Sequence, residues 1–233
     1  MYNFLYKAVF RLHNCERGFE SKTKHSLLIK RSSQYRFRGT VKGERMKDED
    51  SMPGLERLAD QLGKTKLRPV HEWHPASTGD MALRIARNGT WYYRDSPINR
   101  RRLVRLLASV MRKDDDGYCL VTPTEKLRIR VEDAPFLIVE MEQDGAGDTQ
   151  RLLFRTNVDD VIAVDEHHPI VVTNDPLTGE PSPYVRVRDR LDALISRPVF
   201  YQLADLAVER DGTHSGELGV WSCSSFFVLG QSS

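Results

Sequence analysis

Six short strand-like segments follow one another closely in the middle of the chain. They cover residues 118–122, 126–131, 136–142, 151–157, 161–164 and 170–173. Gly145-Ala146-Gly147 and the polar run at 174–179 interrupt them with residues that favour turns. Strands that cluster in this way, with helices at the ends of the cluster, indicate an α+β fold rather than a parallel α/β fold.

Helix and hairpin signals flank these strands. Asn88-Gly89 lies between two alternating stretches and predicts a two-residue turn, because both central residues of that turn need a positive φ. Ser96 and Pro97 are favoured at a helix start, and the apolar stripe that follows predicts a helix over 97–112. A further helical region is predicted over 189–208. We therefore expect an α+β protein with two small β-rich lobes, built from antiparallel, roll-like sheets with a few helices packed on them.

The first 45 residues differ in composition from the rest of the chain. They hold 11 basic and 3 acidic residues, which leaves 24 basic and 30 acidic residues for the remainder. Segment 1–45 has no sustained period and little to bury, which predicts a disordered basic tail. A second hypothesis is a mis-annotated start, since Lys42-Gly43-Glu44 is a common translation of a bacterial ribosome-binding site and precedes Met46.

The remaining residues divide into two lobes. Segment 53–142 is predicted to form an N-terminal α+β lobe, which begins with a short helix at 53–63. Segment 143–233 is predicted to form a C-terminal β-rich lobe with the helices at 189–208.

Composition also restricts location and partners. No run of 18 or more apolar residues occurs, so no transmembrane helix and no membrane partner are expected. The three scattered cysteines form no disulfide framework and no CxxC pair, which favours the cytoplasm. The acidic balance after residue 45 argues against nucleic acid as the main partner.

Six ordered motifs carry a family resemblance. They are RIARNGTWYYRDSPI at 84–98 and the stretches at 120–126, 129–136, 157–158, 190–201 and 219–222. In this order they resemble an uncharacterised bacterial family, domain of unknown function 1285, over about residues 53–230. The resemblance implies two small β-rich lobes, one of which carries helices, and it implies no established activity or cofactor.

The chain departs from the family pattern at a few positions. The segment at 75–80 differs, His74 stands where asparagine is expected, and Cys119 stands where an aromatic residue is usual. A chemical role shared across the family is therefore not expected of His74 or Cys119.

The strand at 126–131 carries the main candidate site. Lys126, Arg128 and Arg130 would share one face of it, because side chains two apart on a strand point the same way. A row of cations on one face needs anions nearby. One interpretation is a surface that binds a phosphate or carboxylate ligand, with Asp133 and Asn157 as neighbours. The other is internal pairing, with the nearby acids Glu132, Glu140 and Glu142.

Two other groups of residues are weaker candidates for a functional site. His71, His74 and His168, with Asp133, are candidates for a metal-assisted hydrolase. Against this, the first two histidines lie in an extended segment, and the adjacent pair His167-His168 points to opposite faces if extended. The basic residues of the predicted helix are candidates for nucleic-acid phosphates: Arg100, Arg101, Arg102 and Arg105.

We favour a non-enzymatic ligand-binding or regulatory module that recognises an anionic small molecule or a protein partner, including a second copy of the chain in a homodimer. Lys126, Arg128, Arg130, Asp133 and Asn157 are its candidate binding residues. No catalytic residue, metal ligand or cofactor is assigned. The alternatives are the metal-assisted hydrolase and a weak nucleic-acid binder.

Overall fold

Strands make up most of the residues that the computed structural model describes, which are 69–175, 179–210 and 216–231. The basic segment 1–45 and the predicted helix at 53–63 lie outside these ranges. The first sheet contains β1 (Ser77–Ile85), β2 (Trp91–Tyr93), β3 (Ser96–Pro97), β4 (Met111–Asp114), β5 (Gly117–Val121) and β6 (Glu125–Val131). The second contains β7 (Phe136–Asp144), β8 (Arg151–Thr156), β9 (Val161–Ala163), β10 (Ile170–Asn174), β11 (Pro181–Arg188) and β12 (Leu191–Ile195).

Three further strands and two helices complete the described fold. A small third sheet contains β13 (Val208–Glu209), β14 (Glu217–Ser222) and β15 (Ser225–Gln231). Helix α1 (Arg101–Ala108) connects β3 to β4, and helix α2 (Arg197–Asp205) follows β12. The protein is therefore mostly β, broadly α+β, with two β-rich lobes as predicted. In the described ranges, no helix is long and apolar enough to cross a bilayer.

The two large sheets have the same topology. The strand order is β3-β2-β1-β6-β5-β4 in the first and, read from its β9 edge, β9-β8-β7-β12-β11-β10 in the second. In each lobe three strands run outwards from the centre, and the next three return from the opposite edge. The first and last strands then pair in parallel, as β1 with β6 and β7 with β12. The expectation of purely antiparallel sheets is therefore wrong at this central pair.

The shared topology identifies equivalent strands in the two lobes. The connection between the outward and inward halves contains α1 in the first lobe and a loop in the second. The chain passes from the first sheet to the second between Val131 and Phe136. This change of sheet precedes residue 142, where the sequence analysis divides the lobes and which lies within β7.

Each sheet packs large apolar side chains into its own part of the core. In the first lobe Trp91, Ile85 and Leu107 are almost completely buried. In the second lobe Phe136 and Phe154 are. Burial of such side chains is the main stabilising contribution to a domain of this kind.

The predicted helix at 97–112 is shorter than expected and begins later. Arg94 and Asp95 both have positive φ, 48° and 65°, and form a two-residue turn after β2. Ser96 and Pro97 therefore pair with β2 as an edge strand, where a proline without an N–H is tolerated. The helix begins at Arg101 and ends at Ala108.

The first half of the predicted helical region at 189–208 is a strand. Leu191, Ala193 and Ile195 are buried in β12, whereas the residues between them are only partly buried. Leu191, Leu194 and Ile195 also fit a helical spacing, which explains the error. The helix begins after Ser196, with Pro198 in its first turn as predicted.

Two turns also differ from the sequence expectation. The hairpin at Asn88-Gly89 is confirmed, but Ala86 N donates to Thr90 O and only Gly89 has a positive φ (79°), so the loop has three residues. The apolar run at 220–229, whose composition favours a single strand, forms a hairpin instead. Its turn is Cys223-Ser224, which leaves Cys223 exposed.

Candidate functional site

The cationic row, Lys126, Arg128 and Arg130, lies at alternate positions of β6 in the first sheet. The strand pairs with β5 on one side and with β1 on the other, and its register with β1 shifts between Asp80 and Arg84. Asp80 lies beside Arg128, and Arg84 lies beside Arg130, both on β1. The structure therefore brings the three predicted cations together, with partners from strands distant in sequence.

Lys126 is held inside a polar network. Its Nζ lies 2.8 Å from Asp114 Oδ2 and 2.7 Å from Asp116 Oδ1, and its side chain is only 15% exposed. Arg112 donates to both oxygens of Asp114, at 2.7 and 2.9 Å, and its Nη1 donates to the carbonyls of Val70 and Trp73. Lys126 therefore contributes to the fold, and little of its charge is available to a ligand.

Asp114 is the centre of this network. Burial opposes its ionisation, but hydrogen bonds from Arg112 and Lys126 outweigh burial and lower its pKa from 3.8 to about 2. Because the pKa is lower in the folded state, the stabilisation is complete above pH 4. It is lost as the pH falls through about 2.

Replacement of Asp114 with asparagine is expected to lower the free energy of unfolding by about 2 kcal/mol at pH 7. As the pH falls from 4 to 2, the free energy of unfolding should decrease less in the variant than in the wild type. Urea denaturation at several pH values measures both effects. Asp115→Asn is the control, because this neighbouring carboxylate is 98% exposed. Equal losses in the two variants would contradict the role assigned to Asp114.

Cys119 lies next to this network on β5. Its thiol is buried and donates weakly to the carbonyl of Arg112 at 3.5 Å. Burial, with the nearby charge of Asp114, raises its pKa to about 11. The protonated thiol is a poor nucleophile, in agreement with the inert role expected from the sequence.

Arg128 makes a two-point contact with Asp80. Its Nε donates to Oδ1 at 2.8 Å and its Nη2 donates to Oδ2 at 3.0 Å. The side chains are 47% and 75% exposed. Internal pairing therefore occurs, but with an acid on β1 rather than with the expected Glu132, Glu140 or Glu142.

Arg130 pairs with Arg84 across the strands and lies two residues after Arg128 on β6. Its neighbour Arg84 donates to Glu132 Oε1 at 2.6 Å and stacks 4.2 Å above the ring of Tyr92. Arg130 itself is exposed, and it has no hydrogen bond or ion pair from its side chain to any residue in the described ranges. Its charge nevertheless helps to lower the pKa of Glu132, after the hydrogen bonds from Arg84 and the backbone of Arg87.

Asp133 contributes to the contact between the lobes. Tyr184 of β11 donates its hydroxyl to Asp133 Oδ1 at 2.7 Å, and burial together with this bond raises the pKa of Tyr184 to about 12. Arg87 Nε forms an ion pair with Asp133 Oδ2 at 3.1 Å, and its Nη2 donates to Ser182 Oγ. Both carboxylate oxygens of Asp133 therefore contact other residues of the protein.

Asn157 links the same two lobes. Its Oδ1 accepts from the backbone N–H of Leu137, and its Nδ2 donates to the carbonyl of Gly89 in the first hairpin loop. Both ends of the amide are therefore used. The structure assigns Asn157 to the lobe contact and not to the face that carries Arg130.

Arginines of α1 take part in the lobe contact as well. Arg101 and Arg105 both form ion pairs with Asp159 in the turn after β8. Arg188 of β11 donates to Asp160 and to the carbonyl of Ala108 at the end of α1. Two of the four arginines proposed for nucleic-acid phosphates are thus neutralised within the chain.

The candidate histidines of the described ranges do not form a metal-binding cluster. His71 and His74 are exposed, and His71 lies 3.7 Å from Glu72. His168 contacts Asp165 in the loop between β9 and β10. Across 69–175, 179–210 and 216–231, no three His, Cys, Asp or Glu side chains are placed to share a metal ion. The hydrolase alternative has no assembled site among these residues.

A groove between β10 and β15 offers a different surface. It has a volume of about 430 Å³ and is lined by residues 170–172, 174 and 226–231. None of these residues is charged. The groove therefore offers no charged side chain to an anion.

The sequence analysis missed Asp80, Arg84 and Tyr92 as members of the site. Asp80 lies in the segment that departs from the family pattern. Arg84 and Tyr92 belong to the first motif of the resemblance. Asp80 and Arg84 could be found only by pairing β1 with β6, which are 48 residues apart at Asp80 and Arg128. Tyr92 then follows from its pairing with Arg84 in the hairpin of β1 and β2.

Comparison with known proteins supports the family resemblance. Two family models match in succession: the N-terminal domain of DUF1285, a domain of unknown function, at residues 68–134, and the C-terminal domain of the same family at 135–229. The matches begin at residue 68 rather than 53. No curated protein matches the chain.

Two crystal structures resemble it. A DUF1285 family protein from Silicibacter pomeroyi is 48% identical, with a TM-score of 0.70, over 78% of this chain and 97% of that one. A DUF1285 family protein from Shewanella baltica is 27% identical, with a TM-score of 0.43, over 54% of this chain and 97% of that one. From the family models and the 48% identical relative, the chain belongs to the DUF1285 family.

Proposed function

We propose that this protein is a non-enzymatic binding module that holds an anionic ligand on the exposed face of its first sheet. The ligand-binding residues are Arg130 and its neighbours Arg128 and Arg84, which we call the arginine face. The observation that carries the proposal is the position of Arg130, exposed and without an ion-pair partner among the described residues, beside a second arginine on the adjacent strand.

The electrostatics of the arginine face favour an anion. Neighbouring strands are about 4.8 Å apart, so Arg84 and Arg130 place like charges in direct opposition, which is unfavourable unless an anion compensates. Asp80 and Glu132 provide two carboxylates for three guanidinium groups. A bound anion would supply the missing charge, and a guanidinium group suits the two-point binding of phosphate or carboxylate.

The repeated topology provides a comparison within the chain. Strand β12 occupies in the second lobe the position that β6 occupies in the first. Its sequence, Leu191-Asp192-Ala193-Leu194-Ile195, contains no cation. The fold therefore does not require a basic strand at this position, which supports a specialised role for the cations of β6.

The other predicted binding residues have structural roles in this proposal. Lys126 stabilises the Asp114 network, and Asp133 and Asn157 join the lobes. The ligand then lies on one lobe, near residues that contact the other, which is compatible with a regulatory module. The free thiols of Cys119 and Cys223 support a cytoplasmic location.

A variant of Arg130 tests the proposal. Isothermal titration of the full chain with inorganic pyrophosphate is expected to show binding. Arg130→Ala should weaken it about tenfold, the loss expected for one charge-assisted hydrogen bond. Arg151→Ala is the matched control, because Arg151 is an exposed, ion-paired strand residue in the second lobe. Equal affinities for the two variants, or no binding of pyrophosphate, citrate or sulfate by the wild type, would contradict the proposal.

A further inference from the structure

The contact between Asp80 and Arg128 has the geometry of a bound ligand. Two nearly parallel hydrogen bonds, of 2.8 and 3.0 Å, join one guanidinium group to both oxygens of one carboxylate. Carboxylate and phosphate ligands bind arginine in this same way. The position that a ligand would take on Arg128 is therefore filled by a side chain of the protein.

This internal carboxylate is easily accessible. Asp80 is 75% exposed and Arg128 is 47% exposed, and an ion pair this open to solvent contributes little to stability. In the described residues, Asp80 has no side-chain hydrogen bond other than those from Arg128. A ligand that displaces it would disrupt little else.

Glu132 is held more firmly on the neighbouring arginine. One of its oxygens accepts from Arg84 at 2.6 Å, and the other accepts from the backbone N–H of Arg87 at 3.2 Å. Its side chain is 33% exposed. Of the two carboxylates on the arginine face, Asp80 is therefore the one that a ligand can replace at lower cost.

An irregularity in β1 separates Asp80 from Arg84, the arginine that holds Glu132. Asp80 pairs with Arg128, and Arg84 pairs with Arg130, so three residues of β1 stand opposite Ile129 alone. Such a bulge changes the direction of a strand and of its side chains. The end of β1 that carries Asp80 is thus set apart from the part that carries Arg84.

We infer that Asp80 is an internal competitor that sets both the affinity and the ligand class of the arginine face. This inference rests on the proposed function. A ligand binds Arg130 and then also receives the hydrogen bonds of Arg128 by displacing Asp80. A monocarboxylate gains little, because it replaces one carboxylate with another. A phosphate group carries about −1.5 to −2 charges at pH 7 and four oxygens or three in an ester, so it outcompetes the Asp80 carboxylate. The ligand class is therefore phosphate-bearing.

Asp80→Asn tests this inference, because the amide keeps the shape of the side chain and removes its charge. Inorganic phosphate and acetate are the probes, and the full chain is titrated with each. Asp80→Asn is expected to bind phosphate about fivefold more tightly than the wild type, from the loss of one competing charge at contact distance. Wild type should prefer phosphate to acetate, and the variant should keep this preference, because removal of the competing carboxylate helps phosphate at least as much as acetate.

Two further variants make the result specific. Glu140→Gln removes an exposed carboxylate that is paired with Arg155 in the second lobe, and it should leave the phosphate affinity unchanged. In an Arg128→Ala background, Asp80→Asn should no longer tighten binding. Melting temperatures of all variants should remain close to that of the wild type, because the altered residues are exposed.

The possible failures have different meanings. If wild type binds phosphate through Arg130 but Asp80→Asn binds it equally or more weakly, Asp80 is not a competitor and the proposed function stands. If Glu140→Gln tightens binding as much as Asp80→Asn, the effect is one of net charge and the inference is overturned. If neither wild type nor Asp80→Asn binds any anion, both the inference and the proposed function are wrong.

Discussion

Replacement of Gly219 with alanine is expected to destabilise the protein by about 3 kcal/mol, at the upper end of the usual cost of overpacking. A Cβ at this position would lie 2.3 Å from the carbonyl oxygen of Phe227 and 2.7 Å from the ring of Phe226. The carbonyl belongs to the paired strand β15, so it cannot move away without disturbing the hairpin. Thermal and urea denaturation measure the loss.

Gly230 provides the matched control for this variant. It lies on the partner strand of the same hairpin, opposite Leu218, and a Cβ there would meet no atom within 4 Å. Gly230→Ala should therefore be neutral or should stabilise by about 0.5 kcal/mol, through the entropy of the unfolded chain. Equal stability of the two alanine variants would contradict the close approach at Gly219.

Ser222→Ala is expected to cost about 3 kcal/mol, because it leaves two buried backbone groups without a partner. Ser222 is completely buried. Its hydroxyl donates to the carbonyl of Val164 at 2.6 Å and accepts from the N–H of Leu152 at 3.0 Å. One side chain thus connects the small third sheet to the second sheet. Urea denaturation of the variant measures this connection.

Ser225→Ala is the control, since Ser225 pairs with Ser222 across the hairpin but is only partly buried. It should change the stability by less than about 0.5 kcal/mol. A Ser222→Ala variant as stable as Ser225→Ala would show that the buried hydrogen bonds are replaced by others. The same contacts show that Ser222 has a structural role in this part of the fold.

Local sequence signals predicted the strands more accurately than the helices. The strand-like segments from 118 to 173 are all confirmed within one to two residues, because alternation and flanking turn residues are local properties. The errors at Ser96 and Leu191 arose where a pattern fitted two structures. At Ser96 the turn at Arg94-Asp95 favours a short strand over a helix. At Leu191 the burial of alternate residues favours the strand β12 over a helix.

The repeated topology could not be predicted from the sequence. It depends on the parallel pairing of β1 with β6 and of β7 with β12, which joins strands far apart in the chain. The two lobes share the path of the chain, but their side chains differ. Leu191-Asp192-Ala193-Leu194-Ile195 shows no resemblance to the cationic row at the equivalent strand. The sequences of the two lobes therefore do not reveal the repeated topology.

The candidate site was predicted in part. The row of Lys126, Arg128 and Arg130 on one face follows from the two-residue period of a strand. Their partners, Asp114 and Asp80, come from other strands of the sheet, so acids close in sequence were a poor guide. Glu140, for example, pairs with Arg155 of β8.

The last two candidates, Asp133 and Asn157, have partners that the sequence did not indicate. Asp133 lies three residues after Arg130, but its carboxylate accepts a hydrogen bond from the hydroxyl of Tyr184 in the other lobe. Asn157 is similarly occupied by the backbone of Gly89 and Leu137. Side chains that join two lobes are fixed by the tertiary fold, and single-residue patterns do not reveal them.

The central claim is that Arg130 and Arg128 bind an anion directly. The most direct test is a phosphate titration followed by the Nε–Hε resonances of the arginine side chains in the full chain. We predict shifts that saturate for Arg130 and Arg128, while Arg188, which is engaged with Asp160 and Ala108, stays unchanged. Shifts of equal size at all exposed arginines, or none at Arg130, would contradict the account.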